Sequence, residues 1–248
     1  MSVAVAEIYV PLSSKRSRNA KSKGGSRDQY RLQALLSDIQ ITYIGSQFST
    51  NIEKQISALH KSARTPITNI LSLGLGSLSS AERGQTRRLK QFALLLAVRD
   101  TLHRISGKII EVYAQDPTFT RQDEVFLSTH GVRILRTPSG SSLGEAASVI
   151  TPSTLIYSPF LTLEAYEQLL VRPTQPVQYL IGDDFSALAE KWPKYSAESA
   201  QAEKVKKAAL GRYRRKAVSG EGFWIETDAS FPLAVYTIQN SIKEKAKI

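Results

Sequence analysis

The sequence predicts an α/β protein: a Rossmann-like, doubly wound, mainly parallel five-stranded sheet with helices ahead of it and a basic helical extension behind. Three observations carry this reading. From residue 69 onward, short apolar runs alternate with stretches of helical spacing. The runs are largely apolar instead of alternating, as strands covered on both faces are. Their strand–helix–strand order implies right-handed crossovers into a parallel sheet. At 248 residues and 42% apolar composition, the chain can bury a substantial core.

Taken in order, residues 1–27 read as a basic disordered tail, poor in apolar side chains and dense in Ser, Lys, Arg and Gly. Residues 28–66 read as N-terminal helices packing on the domain, with Leu32, Leu35, Leu36 and Ile39 in one, Ile52, Ile56 and Leu59 in the next, and Gly45 between them. Residues 67–190 form the expected Rossmann-like domain. Its strands are Ile70–Leu73, Ile109–Tyr113, Val132–Leu135, Thr154–Tyr157 and Val177–Ile181, and its helices lie over 81–105, 120–129, 144–149 and 162–171. The extension, residues 191–248, belongs to a basic helical stretch over 186–216 followed by edge strands at Phe223–Glu226 and Leu233–Ile238. Ser79-Ser80-Ala81-Glu82 fits a capping box and Thr120-Arg121-Gln122-Asp123 a close variant, while Thr162 and Asp184 are placed to cap later helices.

This order puts four turns, 74–80, 114–120, 158–162 and 182–186, at the carboxyl edge of one sheet, where open parallel sheets bind ligands. The candidate ligand-binding residues are Gly74, Gly76, Ser77 and Ser79 from the first turn and Asp116 from the second. Ser158 and Pro159 come from the third, and Gly182, Asp183 and Ser186 from the fourth. Glycines let backbone N–H groups approach an anion at a helix N-terminus, and a carboxylate after the second strand suits ribose hydroxyls. A second reading stands beside this one: the glycines make a tight turn, Ser79 caps a helix, Asp116 sits in a solvated turn before a helix, and Asp183 and Asp184 are ordinary caps. Position 79 is serine where a dinucleotide fingerprint has glycine, and Asp116 follows Gly76 by forty residues instead of about twenty.

Other chemistries find little support. With no cysteine, disulfides, thiolate catalysis and cysteine-held metals are excluded. No lysine of the P-loop type follows the glycines, no G-x-S-x-G occurs, and His60, His103 and His130 lack metal-site spacing, so no catalytic or metal-binding constellation is identifiable. No apolar run approaches the ~18 residues of a membrane span, and the N-terminal basic residues follow the weakly apolar stretch instead of preceding it. A cytoplasmic or nuclear protein without membrane association is expected. Its net charge of +11 is concentrated in 15–27, with six basic and no acidic side chains, and in 191–216, with nine and two. These segments could touch nucleic acid or an acidic partner, or be solvated faces.

The residues of these turns resemble the SRR-like family, named from the plant "sensitivity to red light reduced" protein and including the yeast benomyl-resistance protein and animal relatives. The resemblance runs through Leu73-Gly74-Leu75-Gly76-Ser77, Arg88 with Gln91 and Leu94-Leu95-Leu96, Asp116-Pro117-x-Phe119, Tyr157-x-Pro159, and Ile181-Gly182 with Phe185-Ser186. It covers roughly residues 67–190. Phe160 stands where the family commonly has histidine, and Asp183 where it commonly has asparagine. The resemblance implies a regulatory domain with a pocket, in relatives linked to circadian timing and light signalling, microtubule-drug resistance and haem metabolism, acting with protein partners. The expected function is therefore a regulator whose crevice takes a nucleotide-like ligand. S-adenosylmethionine or a nicotinamide or adenine nucleotide is the candidate cofactor. The alternatives are an S-adenosylmethionine-dependent transferase and a nucleic-acid-associated protein acting through its basic segments.

Overall fold

The computed structural model describes residues 20–82, 84–137, 143–173, 175–228 and 232–239. Its strands are β1 (Asn69–Leu73), β2 (Glu111–Gln115), β3 (Val132–Leu135), β4 (Thr154–Ser158), β5 (Tyr179–Asp183), β6 (Tyr213–Val218) and β7 (Leu233–Ile238). They form one sheet in the order β3-β2-β1-β4-β5-β7-β6. The first five are parallel, as expected; β7 runs antiparallel to β5, and β6 antiparallel to β7. The sheet thus has seven strands where five were expected.

Two helices precede it, α1 (Ala20–Ile44) and α2 (Gln47–Ser62), with Gly45 between them and the Ser46 hydroxyl accepting the Ser49 N–H as a cap. Both pack on α3 (Gln85–Ser106). Residues 20–27, expected in the tail, are helical; the remainder of that tail lies outside the described residues. Together with α4 (Arg121–Thr129), these helices cover one face, where Leu36, Ile52, Ile56, Phe92 and Phe126 are buried against Ile70, Val112 and Leu155. The other face carries α5 (Ala146–Val149), α6 (Leu163–Tyr166) with a π-helical turn over Glu167–Val171, and α7 (Ala197–Arg212). Each fully buried Leu or Phe contributes about 1.5–3 kcal/mol to holding these layers together.

The crossovers after β1 and β2 use one face and those after β3 and β4 the other, so the winding reverses between β1 and β4. That junction is the topological switch point, where a crevice opens beyond the carboxyl ends of the strands.

Several local expectations are corrected. α3 begins at Gln85, not 81, because its N-cap is Gly84 in the left-handed region (φ 93°) and the Ser79–Glu82 box does not form. Asp184 starts a turn, not a long helix: it accepts from the Ser186 N–H and hydroxyl, leading to a 3₁₀ turn at Leu188–Lys191. The helix that follows starts at Ser196, whose hydroxyl takes the Ser199 N–H. It ends at Arg212, and residues 213–216, expected as helix, form β6, where Tyr213 and Val218 bury alternate sides. Phe223–Glu226 is not a strand; positive φ at Gly220 and Gly222 turns the chain, and Phe223 inserts between Tyr43 and Phe48. The box at Thr120–Asp123 and the Thr162 cap form as expected.

Candidate functional site

The glycine turn after β1 lies beside the end of β2, because Leu73 pairs with Gln115 and the two strands leave the sheet side by side. Gly74 and Gly76 both have φ of 74°, a left-handed conformation that costs most other residues about 1–2 kcal/mol. The N–H groups this geometry turns outward are already engaged. Gly76 donates to Asp116 Oδ2 at 2.8 Å, and Ser79 donates to Asp123 Oδ1 at 2.6 Å. Two carboxylates of this chain hold the positions an anionic ligand would take at such a turn.

The carbonyls of the same loop are gripped from α3. Arg88 donates from Nε to the Ser77 carbonyl and from its guanidinium to that of Ser80, and Gln85 donates to the Leu78 carbonyl. A Cβ at Gly76 would sit 2.6 Å from Arg88 Cδ, so the glycine lets the arginine lie flat across the turn. The Ser77 hydroxyl accepts the Ser80 N–H, and the Ser79 hydroxyl lies 3.0 Å from that of Thr120. Ser77 and Ser79 therefore brace the loop.

The crevice itself lies at the switch point, with a volume of about 210 Å³. Leu73 and Gly74 form one wall, Asp116–Thr118 the lip beyond β2, and Phe160–Thr162 the wall beyond β4; Leu143 and Ala165 close the apolar side. Asp116 is half-buried there. Its Oδ1 accepts from the Thr118 N–H (2.8 Å) and hydroxyl (2.6 Å) and its Oδ2 from Gly76. A carboxylate has about four acceptor positions, so one on Oδ2 remains for a ligand hydroxyl.

Phe160 forms the opposite rim with φ of 67°, a conformation costly for an aromatic residue and so one the surroundings must enforce. Its N–H is held by Asp183 Oδ1 at 2.8 Å, and Arg87 and Lys191 lie over its ring at 5.0 and 5.5 Å. The two positions that depart from the family pattern, 160 and 183, thus touch. Asp183 is fully buried and pairs with Lys191 at 2.9 Å. Burial pushes its carboxyl above the usual range, and Lys191, the Phe160 N–H and Arg87 offset only part of that. The rims differ in charge: a carboxylate at Asp116, cations beside Phe160.

Of the ten candidate residues, the structure places Gly74 and Asp116 in the crevice lining. Gly76, Ser77 and Ser79 support it from behind. Ser158 is fully buried, its hydroxyl without a partner among the described residues and its carbonyl accepting the Tyr166 hydroxyl. Pro159 is buried, and Gly182 packs beneath Tyr166, whose hydroxyl would lie 3.1 Å from a Cβ there. Asp183 acts through Phe160, and Ser186 bonds to Asp184. The fourth turn therefore stands apart from the other three. Thr118, Thr137, Leu143, Leu161 and Ala165 line the crevice without having been singled out; Thr118 and Leu161 follow strand ends within three residues, which is the signal that would have found them.

Among the described residues no group of acidic and histidine side chains could hold a metal, and no helix is long and apolar enough to cross a membrane. Comparison with curated proteins finds no match. Solved structures of related shape include cofactor-bound Rv0187 from MTB, at 10% identity over 90% of this chain and 99% of that one, with a TM-score of 0.47. The fibrillarin pre-rRNA processing protein of Methanococcus jannaschii is 16% identical over 70% and 67% of the two chains, with a TM-score of 0.38. The O-methyltransferase TomG of Streptomyces achromogenes is 12% identical over 89% and 99%, with a TM-score of 0.37. At such identities and scores, none of these likenesses bears on what the chain binds. A family model described as the SRR1 domain matches residues 40–240, from the last turns of α1 through β7.

Proposed function

The chain belongs to the SRR1 domain family, and from that premise we propose that it is a regulatory protein whose switch-point crevice holds one nucleoside-like small molecule. The observation that carries the reading is the crevice between β1 and β4, with a carboxylate retaining an acceptor position on one rim and cations on the other. Ribose hydroxyls suit Asp116, and a flat ring suits the Leu143–Leu161 side. A crevice of about 210 Å³ suits a nucleoside-sized group. Asp116 and Asp123 take the Gly76 and Ser79 N–H groups of the glycine turn, so these two offer a ligand no phosphate contact.

Calorimetric titration with S-adenosylmethionine, adenine nucleotides and a nicotinamide dinucleotide tests this. At least one of the first two should bind, and Thr118→Trp, which blocks the mouth from an exposed position, should weaken it by about tenfold or more with the melting temperature kept. No heat with any of them would overturn the reading. Binding of S-adenosylmethionine alone, lost in Asp116→Ala, would favour a transferase over a regulator. A role for the basic segments in binding nucleic acid finds less support, because the cations of 191–216 are dispersed. Lys191, Lys204, Lys206 and Arg215 pair with Asp183, Glu167, Glu203 and Asp184, and Arg212 donates to the Leu170 carbonyl.

A further inference from the structure

A second and larger concavity, about 350 Å³, lies at the opposite, amino-terminal end of the sheet, between α2 and the β6–β7 pair. Its cations are Arg64, just after α2, and Arg214 and Lys216 on β6. Strand alternation explains their presence. In Tyr213–Val218, Arg214, Lys216 and the buried Val218 share the face toward α2, whereas Arg215 points to the other face and pairs with Asp184. None of the three cations makes an ion pair or hydrogen bond among the described residues. Among the described residues no carboxylate lines the concavity; its remaining polar side chains are the neutral Gln55, Ser62, Gln178, Tyr179, Thr237 and Gln239.

We propose that this groove binds a small organic phosphate, with the phosphate held by Arg64, Arg214 and Lys216 and the organic part against Leu59 and Val235. Charge complementarity names the occupant's sign. The chain's own residues 240–248 continue from the groove's lip at Gln239 but carry three lysines against one glutamate, the same sign as the groove. The arrangement favours a compact ligand over a polynucleotide, because the three cations line one bounded concavity together with apolar Leu59 and Val235 instead of following a surface track. The walls are fixed before binding. The Tyr179 hydroxyl donates to the Thr65 carbonyl and accepts its N–H, holding the backbone beside Arg64. Asn51 donates to the Ser219 carbonyl and Phe48 to that of Glu221, holding α2 against the segment after β6. Binding then has to order the three cationic side chains but not the walls that carry them.

The test is calorimetric titration of the full chain with inorganic pyrophosphate and with ADP, in the wild type, in Arg214→Gln/Lys216→Gln, and in Thr118→Trp at the other site. ADP should bind the wild type more tightly than pyrophosphate does, through its organic part. The double variant, melting as the wild type does, should lose about tenfold or more in affinity for pyrophosphate, and for ADP once Thr118→Trp has closed the crevice, as expected when two charge-assisted contacts are removed. Thr118→Trp should retain pyrophosphate binding in full, so failure at the crevice and failure here are separable. The proposal is overturned if neither probe binds, if pyrophosphate binding survives the double variant, if ADP binding survives the double variant combined with Thr118→Trp, or if ADP binding is lost in Thr118→Trp alone. A single-stranded oligonucleotide that outcompetes ADP with a steep salt dependence, through the same two residues, would replace the small ligand with a polynucleotide.

Discussion

Asp123 and Asp183 are both fully buried carboxylates within reach of the crevice, yet burial has opposite net outcomes for them. Burial pushes the Asp123 carboxyl up, but hydrogen bonds from the Thr120 N–H, the Ser77 hydroxyl, the Ser79 N–H and the Thr120 hydroxyl outweigh it and hold the group below the usual carboxylate range. At Asp183 burial wins and the carboxyl lies above that range. The linkage signs follow. Asp123, lowered in the folded state, contributes stability that is present above its unfolded pKa and lost as pH falls through the folded one. Asp183, raised in the folded state, contributes stability present below its unfolded pKa and lost as pH rises through the folded one. Asp123→Asn should therefore lower the melting temperature at pH 7 and flatten its fall under acid conditions. Asp183→Asn keeps an acceptor for the Phe160 N–H and should match or exceed the wild type at pH 7, its advantage shrinking toward low pH. Thermal melts of the three proteins across pH 3–8 check both; a wild-type-like acid profile in Asp123→Asn, or a marked loss in Asp183→Asn at pH 7, would refute the assignment.

At the scale of elements, α3 organises most of what surrounds the crevice. Arg88 and Gln85 grip the glycine turn from its first turns, and one turn further on Lys90 reaches the opposite direction. Lys90 is buried, and its ammonium donates to the Phe223 carbonyl and to Asp228, both at 2.6 Å, beside the rings of Phe223 and Trp224. This tether explains why 223–228 is not a strand. Removing one member of a buried pair leaves the other charge uncompensated, a loss of about 3–5 kcal/mol. Lys90→Met should show a cost of that size in chemical denaturation, and adding Asp228→Asn should recover a good part of it; equal costs for the single and double variants would assign the effect to packing alone. These contacts also mark what was legible in the sequence. The five parallel strands, the two leading helices and the Thr120 box follow from local periodicity and capping. The start of α3 does not, because the Ser79 N–H is captured by Asp123, 44 residues away, a competitor outside any local window. β6 is hidden for a related reason: its basic run matches a solvated helix until β7 supplies the ladder. In the crevice, strand ends located Gly74 and Asp116, whereas Thr137 and Leu143 arrive from the segment after β3, whose path no periodicity specifies.

For the whole molecule, the decisive feature is that the sheet does not end where the alternating pattern ends. A boundary near residue 190 would cut away α7, β6 and β7, yet β7 pairs with β5 along five registered positions. The junction is also polar and tightly specified: the Tyr236 hydroxyl donates to the Asp183 carbonyl and accepts the Phe185 N–H, and the Asp184 N–H meets the Pro232 carbonyl. Beneath these bonds Tyr166 meets Phe185 edge-on and Phe185 packs against Tyr236 at a tilt, both with ring centroids 4.9 Å apart. Without the last three elements, β5 would present an open edge, and Ala202, Val205 and Ala209 would no longer cover the α6 side. A fragment spanning 28–190 should therefore expose its core, bind a hydrophobic dye and melt without a cooperative transition, while the full chain melts in one. The fragment also retains the entire switch-point crevice in its sequence, so its failure to fold would show that the site depends on strands that contribute nothing to its lining. Near-UV circular dichroism with a sharp melt in the fragment would instead make 67–190 and its leading helices a self-sufficient domain, and the β6–β7 pair an accessory to it.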